Sequence, residues 1–410
     1  MAVSFDIAVL GAGISGLTFA HRCAGAGLRT LVLEKAPQPG GCLHTVRMSA
    51  AASDVDPFWF ELGAHTLYNS YGSLLDIMKA LALEDQILRR QKAPYRLLVE
   101  GKVRSVPSQL ALGELFLSSW RAFTARKDGH TVGEYYGGLV GKRNWQRVFA
   151  PLLSAVPSQR AEDFPATMLF KKRPRRKDTP RSFTLKGGLS TLVDGLVHKQ
   201  PITLRLSAGA RSLERTAQGF VVHGEDGSST SVPRVALALP SDTAASLLSS
   251  LAPAAAAALA RIRTAALVST GVVFDKHDLP LARLAGLVPI DDVFFSAVSR
   301  DVIPDGRYRA LAFHFKAGLS PQERLDRIAT VTRVVPARFV HVAEHASSLP
   351  SPQLGHTDIV RALDESIAGT PLFITGNYFG GLAIEDCVLR STAEAQRLVG
   401  TPADANRQCE

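Results

Sequence analysis

The sequence predicts an α/β protein in which a Rossmann-like domain is assembled from separated stretches of chain, with an α+β domain inserted between them. Three observations predict it. "DIAVLGAGISGLTFAHRCAGAG" sets Gly11, Gly13 and Gly16 between an apolar strand, Asp6 to Leu10, and a helical pattern. "SFTLKGGLSTLVDGLVH" places a second glycine hinge, Gly187 and Gly188, before another helix. "PLFITGNYFGGLAIEDCVLRSTAEAQRL", near the other end, sets Leu372, Phe373 and Ile374 ahead of Gly376, Gly380, Gly381 and a helix starting near Ala383.

In the first hinge Gly11 permits the tight turn, Gly13 lets a pyrophosphate approach the backbone, and Gly16 lets the helix pack on the strand. Ile14 and Ser15 open the helix, whose unpaired N–H groups attract negative charge. The next strand, "RTLVLEK", ends at Glu34 and Lys35, where a carboxylate accepts hydrogen bonds from a ribose. Nicotinamide and flavin dinucleotides both remain open at this point.

"PQPGGCLHT" then places Gly40, Gly41 and Cys42, and "FWFELGAHTLY" places Glu61, Leu62, Gly63, Ala64 and His65. Here the sequence resembles the flavin amine oxidase and protoporphyrinogen oxidase superfamily, whose members carry a GG pair after the ribose acid and an ELG-type turn beside the flavin. The resemblance implies FAD, bound noncovalently because no cysteine stands in the superfamily's flavin-linking context. It also implies a GR2-type FAD domain made of residues 1–75, 181–245 and 356–410. Residues 76–180 would form the helical part and 246–355 the sheet-containing part of the substrate domain.

"GNYFGGLAIEDCV" resembles the protoporphyrinogen oxidase version of the last hinge, and "KGGLSTLVDGL", "GLVP", "PDGRYRALAFHF" and "LPSPQLGH" follow the family order. By the same resemblance Ala210 touches the adenine through its backbone, while Gly376, Asn377, Gly381, Leu382 and Ala383 face the flavin with the positive end of the last helix. Arg96 matches the family arginine that pairs with a substrate carboxylate; read alone, it is equally a surface arginine of a hairpin. The chain departs from the family at Cys42, where a basic residue is usual and His44 is the candidate to compensate. It departs again at "SAVPSQRAEDF", Ser154 to Phe164, and "EHASSLPSPQLGH", Glu344 to His356.

Between the hinges, Leu74, Ile77, Met78 and Leu81 keep helical spacing, and "APYRLLVEGKVRSVP" alternates around Glu100-Gly101 like a hairpin. "SQLALGELFLSSWRAF" is an amphipathic helix with Leu112, Phe116, Trp120 and Phe123 on one face, expected in the domain core, with a peripheral membrane contact left open. A strand meander follows the Gly187 hinge, an apolar strand turns at Pro240 into a helix, and "LAPAAAAALARI" is an ordinary helix. Strands are expected at Ala266 to Phe274, Gly286 to Ile290, Arg309 to Phe315 and Arg338 to Ala343, with a helix at Ser320 to Val331.

At 410 residues and 46% hydrophobic content the chain holds two to three domains with ample core. With no basic leader pattern and no apolar run of about 18 residues, it reads as cytoplasmic and not integral to a membrane. Four dispersed cysteines and scattered histidines argue against a metal site or a disulfide framework. Net charge is +10, partly in "KKRPRRKDTPR", Lys171 to Arg181, whose Pro174 and Pro180 exclude a continuous recognition helix; no nucleic acid is expected.

A single GxGxxG favours an oxidase or dehydrogenase reduced by its own substrate. The family points to a small-molecule substrate that is anionic and largely apolar, of porphyrinogen type, with molecular oxygen or another electron acceptor. A desaturase or amine oxidase of a secondary metabolite, and a redox-inert FAD scaffold or tetrapyrrole carrier, are the alternatives; oligomeric state stays open.

Overall fold

The computed structural model describes residues 4–48 and 57–400. Five short strands form one parallel sheet in the order Ile202–Arg205, Thr30–Leu33, Ile7–Leu10, Val235–Leu237, Leu372–Ile374. The four strands from Thr30–Leu33 to Leu372–Ile374 are buried along their whole length, as expected where helices cover both faces. Alternation divides the first strand cleanly. Ile7 and Val9 join the core under the helices Ile14–Gly25, Gly72–Ala80, Ser190–His198 and Ile384–Val399. Ala8 and Leu10 join the core under Ser241–Leu248, Pro253–Ala260, His356–Ile367 and the meander Ala210–Thr216, Gly219–Gly224, Ser229–Val232.

A seven-stranded sheet stands beside it, in the order His341–Pro350, Thr264–Asp275, Tyr308–Lys316, Phe294–Ser299, Gly286–Pro289, Tyr95–Val99, Lys102–Ser105. One face carries Leu311, Phe313 and Phe315 under the helix Pro321–Thr332. The other carries Val273, Ala310 and Ala312 against Phe58, Phe60 and Leu62, which flank and form the strand Trp59–Glu61. Gly271 makes that contact close, since a Cβ there would lie 2.2 Å from the Phe60 ring. The helical part, Leu112–Ser119 through Ala150–Ala155, packs on one face of this sheet at Leu97 and Val288.

Three sequence expectations need correction. The edge strand begins at His341 and runs to Pro350, through "EHASSLP", because antiparallel pairing with Thr264–Val273 supplies the order that its polar composition hides. Phe294–Ser299 is an unanticipated inner strand, bulged near Phe294, which blurs its alternation. The apolar face of the helix Leu112–Ser119 and the turn Trp120–Phe123 is not core: Phe116 and Phe123 are 79% and 92% exposed. No helix among the described residues is long and apolar enough to cross a membrane.

The corner of the second sheet is fixed by a buried ion pair, in which Arg309 Nε and Nη2 donate to the two Asp301 oxygens at 2.8 and 2.7 Å. Leu284 N–H adds a third bond to Asp301 at 3.1 Å. Removing one partner strands the other charge in a low-dielectric interior. Asp301→Ala is therefore expected to lower stability by about 3–5 kcal/mol, and the apolar double replacement Asp301→Leu/Arg309→Met by clearly less. Thermal unfolding of both variants checks this.

Candidate cofactor and substrate site

The first hinge is shaped by contacts that no side chain could share. Gly11 has φ +99°, and a Cβ at Gly16 would lie 1.9 Å from the Gly11 carbonyl oxygen. Gly13 differs: its φ is −72° and a Cβ there would meet nothing within 4 Å. The open space lies before a helix whose N-cap has no side-chain bond, so the first-turn N–H groups, Ile14, Ser15 and Gly16 among them, are left for a ligand. Gly40 N–H donates to Ala12 O at 2.8 Å and Gly41 approaches the Gly13 Cα, so the GG pair walls this cradle.

Glu34 is engaged by the backbone. Its carboxylate accepts from Ala12 N–H at 2.7 Å and Ala36 N–H at 2.8 Å, tying the hinge to the end of the second strand. Lys35 extends outward to Glu225, and Ala208 N–H donates to Glu34 O, which brings the Ala208 to Ala210 segment alongside. Cys42 is exposed beside the cradle. Its carbonyl accepts from Ala64 N–H, and a Cβ at Gly63 would lie 2.0 Å from the same oxygen. His44 stacks on His345 at 4.2 Å and is held neutral, its pKa lowered to about 4 by burial, so it supplies no charge in place of the missing basic residue.

The last hinge meets the first. The Cys387 side chain, in the opening turn of Ile384–Val399, lies beside Ser15 in the opening turn of Ile14–Gly25. Two uncapped helix N-termini thus stand together, with Gly376, Asn377, Gly381, Leu382 and Ala383 on the approach to the second. A Cβ at Gly376 would strike the Tyr378 ring at 2.6 Å, and one at Gly381, with φ +151°, would strike Asp386.

The acids of that turn are committed elsewhere. Glu385 accepts from Ser73 N–H and Leu74 N–H, capping the helix Gly72–Ala80. Asp386 accepts from Arg173 at 2.7 Å and Lys171 at 3.2 Å, so the basic run is docked here rather than free in solvent.

Between the Trp59–Glu61 strand and the second sheet lies a cavity of about 30 Å³, lined by Glu61, His65, Arg90, Thr184 and Arg300 with apolar Trp59, Phe60 and Val298. Arg90 Nε, Arg300 Nη1 and Thr184 Oγ1 are buried there without partners. His65, next in the chain to Ala64, is pushed down to about 3 by burial, ahead of the nearby Arg90 and His314 charges; His314 falls to about 4. At neutral pH both rings are uncharged, and Arg90 and Arg300 bring the positive charge. Arg96 is not among the lining residues. Its register partner is Leu287, on the face shared with Leu98 and the helix Pro321–Thr332.

Sequence reasoning did not pick out Arg90, Thr184 or Arg300. Arg90 follows the strand Ile87–Arg89, which only its pairing with Ser182–Leu185 brings beside Thr184, and no local pattern marks that.

Residues 14–399 match the profile of flavin containing amine oxidoreductases, and the chain belongs to that family. It is 21% identical to protoporphyrinogen oxidase 1, chloroplastic, of Arabidopsis thaliana, over 94% of this chain and 86% of that one. It is 35% identical to 15-cis-phytoene desaturase of Synechococcus elongatus over 20% of this chain and 16% of the other. Among solved structures, a candidate protoporphyrinogen oxidase of Exiguobacterium sp. 255-15 shares the fold at TM-score 0.77, with 17% identity and coverage of 97% and 99%. The chain is thus an FAD-dependent oxidoreductase, and the open Gly13 cradle with its uncapped helix fits the pyrophosphate of that cofactor.

Gly13→Val is expected to leave apo-protein melting nearly unchanged and to abolish FAD uptake, whereas Gly16→Ala lowers melting itself; calorimetry with and without FAD separates the two. A second expectation concerns pH. Glu61 is buried, accepts from Leu189 N–H at 2.7 Å and Thr45 Oγ1 at 2.8 Å, and is raised by burial from 4.5 to about 7. The folded chain holds a proton there that the unfolded chain releases earlier. Its stabilising effect is complete below pH 4.5 and is lost as pH rises toward 7, by roughly 3 kcal/mol. The melting advantage of wild type over Glu61→Gln should therefore shrink across that window; a flat or growing difference refutes the assignment.

Proposed function

We propose that this flavoprotein removes hydrogens from an anionic, largely apolar ring system of porphyrinogen type, with oxygen or another acceptor taking the electrons onward. The observation that carries the reading is a pair of buried guanidinium N–H groups, Arg90 Nε and Arg300 Nη1, without a protein acceptor beside a small cavity next to His65 that has room for a carboxylate-sized group and not for a ring system. Similarity to the Arabidopsis protoporphyrinogen oxidase along nearly the whole chain supports it.

FAD, when bound, supplies the two-electron acceptor. The chain's residues bind and orient. The cradle around Gly13, the carboxylate of Glu34 and the paired helix N-termini hold the cofactor without a covalent link. Arg90 and Arg300 offer charge-assisted bonds to a substrate carboxylate, and Glu61, the acid that could offset their charge, is raised by burial to about 7. Arg96 remains a proposed carboxylate partner on the strength of the family match. A desaturase of another metabolite is the second reading, favoured by the short stretch shared with phytoene desaturase.

Anaerobic mixing of FAD-loaded protein with protoporphyrinogen IX, and separately with coproporphyrinogen III, tests the proposal. Flavin absorbance is expected to fall as porphyrin fluorescence rises. Arg90→Ala should need about tenfold more substrate or worse for half-maximal bleaching, because a buried carboxylate loses its partner. If Arg96→Ala shows the larger effect, Arg96 and not Arg90 is the partner. If neither porphyrinogen bleaches a flavin that dithionite reduces, the substrate class is wrong and the desaturase reading takes its place.

A further inference from the structure

Three buried polar atoms converge on the cavity beside His65: Arg90 Nε, Arg300 Nη1 and Thr184 Oγ1, none bonded to a partner among the described residues. Each is held in place by its own element. Thr184, 2% exposed, lies in the strand Ser182–Leu185 and stands opposite Leu88 in the ladder. Arg90 follows that ladder, and its neighbour pins the segment, Gln91 N–H donating to Val302 O at 2.7 Å. Arg300 Nε donates to Trp59 O at 3.0 Å while the guanidinium stacks on the Trp59 ring at 4.3 Å. The donors are therefore set before any ligand arrives.

Water fills such a space poorly, because it must donate two bonds of its own, and two of the three groups that face it are cationic N–H donors. The acids within reach of Arg300 are engaged elsewhere. Asp301 holds Arg309 through both oxygens, Asp305 accepts from Arg307 N–H and Tyr308 N–H at 2.8 Å, and Glu61 accepts from Leu189 N–H and Thr45 Oγ1. A buried cation without a counter-charge is costly, and one small anion with two oxygens satisfies all three donors and offsets the charge at once.

At about 30 Å³ the cavity admits a carboxylate-sized ion and excludes anything much larger. We propose that it is a receptor for a free small monocarboxylate of the formate class, and that such an ion, once bound, excludes the substrate carboxylate and so inhibits the enzyme. The inhibition rests on the substrate reading given above; the anion site itself does not.

Melting of FAD-loaded, full-length protein in sodium formate, against sodium gluconate at equal ionic strength, tests the site. Wild type should gain melting temperature saturably in formate alone, because gluconate is too large to enter. Arg90→Gln should need about tenfold more formate or worse for the same gain. Thr184→Val removes one donor and leaves no buried hydroxyl unpaired, so it should melt at or above wild type without formate and gain less with it. That variant decides the matter if Arg90→Gln does not fold. Equal gains in formate and gluconate, or equal gains by wild type and both variants, overturn the site and leave water as its occupant. Anaerobic bleaching by protoporphyrinogen IX tests the inhibition: formate should raise the substrate concentration needed for half-maximal bleaching, with the final extent unchanged. Bleaching that is unaffected by saturating formate overturns it. If neither porphyrinogen bleaches the flavin, the substrate reading fails, and the melting series still decides the anion site.

Discussion

The near-contact of Gly16 with the Gly11 carbonyl is the constraint from which the rest of this molecule follows. Only a residue without a Cβ lets the first helix come down on its strand so closely, and that descent brings Ser15 to the level of the strand ends. The last helix arrives from the far side of the sequence, yet the pairing of Leu372–Ile374 beside Val235–Leu237 delivers its opening turn to the same place, where Cys387 reaches Ser15. One hinge alone would offer a single helix N-terminus; here two converge on the same place. The site is a property of the parallel sheet, whose strand ends gather loops from positions far apart in the chain.

Desolvation is the second organising force. Glu61, His65 and His314 are each driven by burial toward their uncharged forms. Arg300 is lowered to about 10 by the same cause and still carries its charge at neutral pH. Cations thus persist where the neighbouring groups have given up theirs. Two guanidinium N–H groups, Arg90 Nε and Arg300 Nη1, are left beside the cavity without a protein acceptor, and the proposed anionic substrate rests on them.

What was legible in the sequence was local. The three glycine hinges are contiguous strings whose meaning lies in backbone clearance, and the helices and strands flanking them follow from period alone. The cavity is not a string. Glu61 and His65, Arg90, Thr184 and Arg300 come from different segments, and only the pairing of the small sheet around Ser182–Leu185 and the packing of Ala310 and Ala312 on Phe60 bring them together. Edge strands hide for a related reason: His341–Pro350 alternates between half-buried and exposed residues, so composition says loop where the hydrogen-bond ladder says strand.

The helix at Leu112 shows the limit of periodicity most clearly. A 3.6-residue repeat tells which side chains share a face; it carries no information about which face the rest of the protein covers. Here Asn144 and Glu114 decide, Asn144 by binding the backbone at the helix start and Glu114 by binding the backbone of the turn Lys142–Asn144, so that polar residues select the buried side and leave the apolar one outside. The same helical part packs on Leu97 and Val288, beside the hairpin that carries Arg96. The exposed apolar ridge is thereby joined through one packed element to the sheet that carries Arg96.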